Sequence, residues 1–122
     1  YLSDVGLLTS LLEIQYNDIL LDNSFLYKGN IAENYVATQL VRNGLSLYYW
    51  KSNSDAEIDF ILYNEDGLIP IEVKASDNIT SKSLNSYMKQ YNPKYAIRIS
   101  SKNFGFENNI KSVPLYATFL IK

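Results

Sequence analysis

Two short segments carry acids at spacings that chemistry can use, Glu57-Ile58-Asp59-Phe60 and Ile71-Glu72-Val73-Lys74. In each, apolar and polar residues alternate, which predicts a strand with one apolar and one charged face. Ile58, Phe60 and Leu62 are expected to point one way and Glu57 and Asp59 the other; Ile71, Val73 and Ala75 likewise oppose Glu72 and Lys74. Between the segments lies Asn64-Glu65-Asp66-Gly67, whose Asp-Gly step suits a two-residue hairpin turn. Centring that turn on Asp66-Gly67 sets Asp59 opposite Lys74 and Ile61 opposite Glu72. Opposite residues share a face, so Asp59, Glu72 and Lys74 are expected within a few ångströms of one another. Two carboxylates and an ammonium on one face are the makings of a divalent-metal site with a lysine beside it. The same residues could also form an ordinary cross-strand ion pair with a solvated Glu72. Glu57 shares the Asp59 face but lies further from the turn, where solvent exposure is expected.

A further acid, Glu33, falls within a helical pattern running from Ile31 to Arg42. At 100° per residue it projects only about 20° from Leu40 and about 60° from Val36, on or beside the apolar face. A carboxylate there either snorkels from the flank, favours the helix N-terminus, or serves a site.

Composition limits the chemistry. The chain has 122 residues, enough for one domain with a real core, and 47% of them are hydrophobic against 20% charged, as in ordinary globular proteins. With no Cys and no His, thiol nucleophiles, thiolate zinc sites, imidazole ligands and Ser-His-Asp triads are all excluded. Any metal must be held by oxygen, which favours Mg, Mn or Ca. General-base work falls to Lys, Asp or Glu. No Gly-rich phosphate loop is present. A net charge of −2 argues against non-specific coating of nucleic acid while leaving room for a local basic groove, and eleven tyrosines suit core edges, a partner surface or base stacking. No apolar run is long enough to span a bilayer and no signal peptide opens the chain, so a cytoplasmic location is expected. The opening Tyr1-Leu2-Ser3-Asp4-Val5-Gly6 reads like the middle of a longer protein.

The elements that must position the acids follow in order. Asp4 caps a short helix carrying Leu7, Leu8, Leu11 and Leu12. Residues from Glu13 to Tyr27 read as turns with helical pieces. Asn30 is the expected cap of the Ile31 to Arg42 helix, which Asn43-Gly44 stops. Leu47-Tyr48-Tyr49-Trp50 forms a strand, followed by a turn at Ser52 to Asp55 and then the two acid-bearing strands. Ser81 to Tyr91 is an amphipathic helix with Leu84, Tyr87, Met88 and Tyr91 on one side, ended by Asn92-Pro93. Tyr95 to Ile99 is another strand. Beyond a loop at Gly105, Val113-Pro114-Leu115-Tyr116 is expected at a sheet edge, and Ala117 to Ile121 suits helix or strand. The order makes an α/β fold with a mixed sheet covered by helices.

Glu33 on a helix, Asp59 on one strand and Glu72-Val73-Lys74 on the next, followed by a helix and a strand, resembles the PD-(D/E)xK nuclease superfamily. The match runs from Gly29 to Ser100, with Ile58 in place of the usual Pro before the Asp. Over nearly the whole chain, Tyr1-Leu2-Ser3-Asp4-Val5-Gly6-Leu7-Leu8, Lys28-Gly29-Asn30-Ile31-Ala32-Glu33, Tyr49-Trp50-Lys51, Ala56-Glu57-Ile58-Asp59-Phe60, Pro70-Ile71-Glu72-Val73-Lys74 and the closing Ile110 to Tyr116 are similar to the C-terminal domain of a family of prokaryotic AAA+ ATPases. That domain is catalogued as of unknown function.

The resemblance implies a restriction-endonuclease-like αβββαβ core forming a single domain, and an ATPase module upstream as its partner. It implies that Asp59, Glu72 and the Val73 carbonyl hold Mg²⁺ or Mn²⁺, with Glu33 completing the shell. Lys74 would orient or deprotonate the attacking water, for hydrolysis of a DNA phosphodiester. Lys82 and Lys89, roughly aligned on the second long helix, could hold backbone phosphates, or simply form a solvated face. The alternative function is a catalytically inactive nuclease fold that docks DNA or protein for the ATPase.

Overall fold

The computed structural model describes residues 1–15, 17, 27–76 and 80–122. Most of the stretch between Glu13 and Tyr27, read above as turns with helical pieces, lies outside the described residues. Helix α1 (Val5–Leu11) is capped as expected, Asp4 accepting the Leu7 N–H at 2.9 Å. It buries none of its residues.

Helix α2 (Lys28–Arg42) starts earlier than the sequence suggested. Ile31 N–H already bonds to the Tyr27 carbonyl, so Asn30 lies within the first turn and Tyr27, with no side-chain cap, takes the N-cap position. Its end is as expected. Gly44 adopts φ +79°, its N–H bonds to the Val41 carbonyl and that of Leu45 to Leu40, closing the helix through a left-handed residue.

Six strands follow: β1 (Tyr48–Lys51), β2 (Glu57–Asn64), β3 (Gly67–Lys74), β4 (Ala96–Ser100), β5 (Gly105–Glu107) and β6 (Ile110–Pro114), with helix α3 (Lys82–Tyr91) between β3 and β4. They form one mixed sheet in the order β1-β2-β3-β4-β6-β5. Strands β1, β2 and β3 are antiparallel neighbours, β3-β4 and β4-β6 are parallel, and β5-β6 is antiparallel. A 3-10 helix (Leu115–Leu120) closes the chain. The α/β fold with helices covering a mixed sheet is therefore as expected. Among the described residues no helix is long and apolar enough to cross a membrane.

Each face of the sheet has its own apolar cluster. Ala32, Val36, Ala37 and Leu40 of α2 pack on Phe60, Leu62, Ile69, Ile71, Val73, Ile97 and Ile99. Leu84 and Tyr87 of α3 pack on Ile58, Ile61, Ala96 and Ile110. At roughly 1.5–3 kcal/mol for each fully buried aliphatic or Phe side chain, these contacts dominate what holds the helices on.

Three expectations are corrected. Val113-Pro114 is not at the sheet edge, because Gly105–Glu107, read as a loop, is itself the edge strand beside β6. The Pro is tolerated because β5 reaches only Ser112, so Pro114 has a neighbouring strand on one side. The hairpin turn lies one residue earlier than predicted. A turn on Asp-Gly needs positive φ at both central residues, yet only Gly67 adopts it, at +98°. Asn64 accepts the Asp66 N–H at 2.9 Å and pairs with Gly67, so the turn is built on Glu65-Asp66. Phe60 therefore faces Ile71 and Ile61 faces Pro70, and the same register carries Asp59 toward Glu72 rather than Lys74.

The third correction concerns alternation within β2. Pairing with β1 slips between Trp50↔Ile58 and Tyr48↔Ile61, a bulge that adds a residue on β2. Ile58 consequently joins Ile61 under α3, while Phe60 and Leu62 lie under α2. Asp59 sits in the bulge, between a residue committed to one face and a residue committed to the other.

Candidate functional site

The bulge determines how Asp59 is used. Its Oδ2 accepts the Val73 N–H at 2.7 Å, standing in for a ladder bond where β2 and β3 separate. The carboxyl is pushed up to about 6, first by burial and then by the negative charges of Glu33 and Glu72; the Val73 N–H and the Lys74 ammonium oppose the rise. Glu33, Glu72 and Lys74 are thus all within electrostatic reach of Asp59. They meet around the bulge and not on one flat face.

Glu72 is the most constrained of them. It points away from Ile71 and Val73, toward the α3 side, and only 4% of it is exposed. Its Oε1 lies 3.2 Å from the Lys74 Nζ, so the partner of Lys74 is its near neighbour along β3 and not Asp59. Among the described residues the buried Oε2 of Glu72 has no hydrogen-bond partner. An unsatisfied buried acceptor costs roughly 1–3 kcal/mol, more when charged.

Glu33 comes from α2 and is half-buried, its carboxyl raised by desolvation and by Glu57, and lowered by the Tyr1 hydroxyl and Lys74. Tyr1, which the sequence did not single out as a site residue, donates its hydroxyl to Glu33 Oε2 at 3.5 Å and packs on Phe60 with ring centroids 5.4 Å apart. Partial desolvation, and then the Glu33 and Asp59 carboxylates, push that phenol up to about 12. Buried Asn34 explains its position: it accepts the Leu2 N–H at 2.7 Å and donates to the Leu2 carbonyl at 3.0 Å, clamping the first residues to α2. A buried Asn next to Glu33 was the available signal.

The remaining residues divide. Lys82 lines an open pocket of about 330 Å³ together with Glu72, Lys74, Thr80 and Ser83. Lys89 is exposed further along α3 and does not line that pocket. Glu57 is exposed and ion-paired with Lys51, as its distance from the turn suggested.

Among the described residues no group of three or more acids stands close enough to hold a metal ion, so Glu33 does not complete a three-carboxylate cage. A small hard cation does not require one; it takes one or two carboxylates and keeps much of its water. The orphaned Oε2 of Glu72 and the disfavoured charge of Asp59 fit that demand. Val73 offers Asp59 its N–H.

No curated protein and no solved structure matches the chain. A family model does match, over residues 28–118, and these residues include α2, every strand, α3 and all four acids and lysines described above. The chain belongs to the family described as Domain of unknown function (DUF4143).

Proposed function

We propose that this domain is a metal-dependent phosphodiester hydrolase of the PD-(D/E)xK kind, acting on DNA and attached to an upstream AAA+ ATPase module. The observation that carries the reading is the buried, unpartnered oxygen of Glu72 beside an Asp59 whose carboxyl titrates near 6. An acid whose charge is disfavoured by burial and by neighbouring carboxylates is a functional-site candidate. Asp59 and Glu72, with the Val73 carbonyl, would hold Mg²⁺ or Mn²⁺, and Glu33 would reach the ion through water. The bound ion would acidify a water and neutralise charge on the scissile phosphate.

The residues' own parts follow from their positions. With its carboxyl pushed up to about 6, Asp59 gains its charge as the pH approaches neutrality. Lys74 extends its ammonium from buried Glu72 into the open pocket, where it can hold a water or a phosphate oxygen and stabilise charge that develops there. Glu33 accepts the Tyr1 hydroxyl and approaches the site from the α2 side. Lys82 at the same pocket is placed to meet a backbone phosphate.

A second reading, an inactive nuclease fold that docks DNA or protein, is favoured by the lack of a three-acid group among the described residues. Incubation of the protein with duplex, single-stranded and branched DNA in Mn²⁺ separates the two. Cleavage by the parent that Lys74→Ala abolishes supports hydrolysis; equal results from parent and Lys74→Ala sink it.

A further inference from the structure

The same sheet face holds a second charged group that the hydrolytic site does not use. In the parallel register of β3, β4 and β6, Glu72 lies beside Arg98 and Arg98 beside Ser112. Adjacent strands are roughly 4.8 Å apart, so Arg98 is the immediate neighbour of Glu72 across the sheet. It is half-buried between apolar Ile97 and Ile99. Its Nε donates to Ser81 Oγ at 2.9 Å, which fixes the plane of the guanidinium and leaves the two terminal nitrogens for other acceptors. Among the described residues Arg98 makes no ion pair with a carboxylate.

A half-buried cation that makes no ion pair among the described residues favours an anionic partner. Arg98 opens onto a pocket of about 460 Å³ that Asn85, Asn108 and Ser112 also line, side chains able to donate hydrogen bonds. Glu107 lines the rim but forms no ion pair with Arg98 among the described residues. A planar fork that is oriented from one side by Ser81, and that makes no ion pair among the described residues, is suited to two oxygens of one phosphate.

We infer that Arg98 and the pocket of Asn85, Asn108 and Ser112 form a phosphate-binding subsite, which takes a backbone phosphate of a nucleic-acid strand lying across β3 and β4 beside Glu72. It deepens the hydrolase reading and rests on it for the identity of the strand. The subsite extends the interface from the Glu72–Lys74 pocket toward β6, along the α3 side of the sheet. Phosphate held by Arg98 would fix the register of the strand relative to Glu72.

Binding is measured by fluorescence anisotropy of a labelled single-stranded oligonucleotide in EDTA, where no metal-dependent cleavage occurs, and in parallel by calorimetric titration with inorganic phosphate. Arg98→Ala should weaken oligonucleotide binding about tenfold and reduce the slope of log affinity against log salt by about 0.7, the contribution of one phosphate on a single strand. Arg98→Lys should recover the salt slope and only part of the affinity, because it restores charge without the fork. Glu107→Gln, an exposed change that does not threaten folding, should tighten binding, and it carries the test if Arg98→Ala fails to fold. Unchanged affinity and salt slope in Arg98→Ala, or in Glu107→Gln when that variant carries the test, would overturn the subsite. Arg98-dependent binding of inorganic phosphate with Arg98-independent binding of the oligonucleotide would overturn the assignment to a strand. Arg98-dependent oligonucleotide binding by a parent that never cleaves would support the subsite and refute the hydrolase reading. Cleavage that Arg98→Ala leaves intact, with unchanged binding, would do the reverse.

Discussion

The two faces of the central sheet contrast in what they bury. Under α2 the strands present an unbroken apolar surface, Phe60, Leu62, Ile69, Ile71, Val73, Ile97 and Ile99. Under α3 the apolar cluster is smaller, and beyond it the strands carry Glu72, Lys74, Arg98, Ser100 and Ser112. Alternation along β3 and β4 accounts for the division: the residues that close the core on one side force their neighbours to the other. Helix α3 covers only part of that second face, so Lys74, Arg98 and Ser112 remain half-buried while Glu72 and Ser100 are buried. The α2 face carries the larger apolar core, and the α3 face carries the charged residues on which the proposed function rests.

The largest expected effect tests the stable face. Leu40→Ala or Ile99→Ala, each fully buried under α2, should cost about 2–5 kcal/mol in urea unfolding. Ser112→Ala on the opposite face should cost far less. Comparable losses would erase the contrast.

The next tests the chemical face by pH. The folded Asp59 carboxyl lies near 6 against an ordinary 3.8, so the folded state holds its proton more tightly. Stability should therefore fall as pH rises from about 4 to about 6, and Asp59→Asn should remove that loss. An Asn can still accept the Val73 N–H. The variant should be more stable than the parent by on the order of 2 kcal/mol at pH 7.5 and no more stable at pH 3.5. Urea denaturation at the two pH values checks it, and a pH-independent difference would show that Asp59 is not the titrating group.

A smaller effect concerns the turn that sets the register between the two acid-bearing strands. Gly67 holds φ +98°, and Gly67→Ala should cost about 1–2 kcal/mol by thermal unfolding. Lys51→Ala, which breaks an exposed pair with Glu57, should leave stability unchanged within error, since surface ion pairs contribute little.

Much of this arrangement was legible in the sequence because it depends on local periodicity. The alternation of β3, the spacing of Leu84, Tyr87 and Met88 along α3, and the Asn43-Gly44 stop each have a single physical solution. The turn was misplaced by one residue because Asp66-Gly67 and Glu65-Asp66 are both acceptable on local grounds; the choice is made by the φ of Gly67 and the Asn64 side chain. Glu72 and Lys74 share a face because they stand two apart on one strand, which no change of pairing register alters. The bulge at Asp59 was invisible because it arises from pairing with β1, a non-local contact. Tyr1 was missed for the same reason, being brought to Glu33 by the Asn34 clamp on Leu2. Arg98 was read only as one position in a strand, since nothing in its neighbours along the chain reveals Glu72 across the sheet.

The central claim is that Asp59 and Glu72 form a cation site, and calorimetric titration of the protein with Mn²⁺ at pH 6 and pH 7.5 tests it most directly. The account predicts weak binding that Asp59→Asn and Glu72→Gln each reduce by about tenfold or more. Because burial and neighbouring carboxylates push the Asp59 carboxyl up to about 6, binding should release more protons at pH 6 than at pH 7.5. The release is read from the dependence of the heat on buffer ionisation. Variants that bind Mn²⁺ as the parent does, with no difference in proton release between the two pH values, would contradict it.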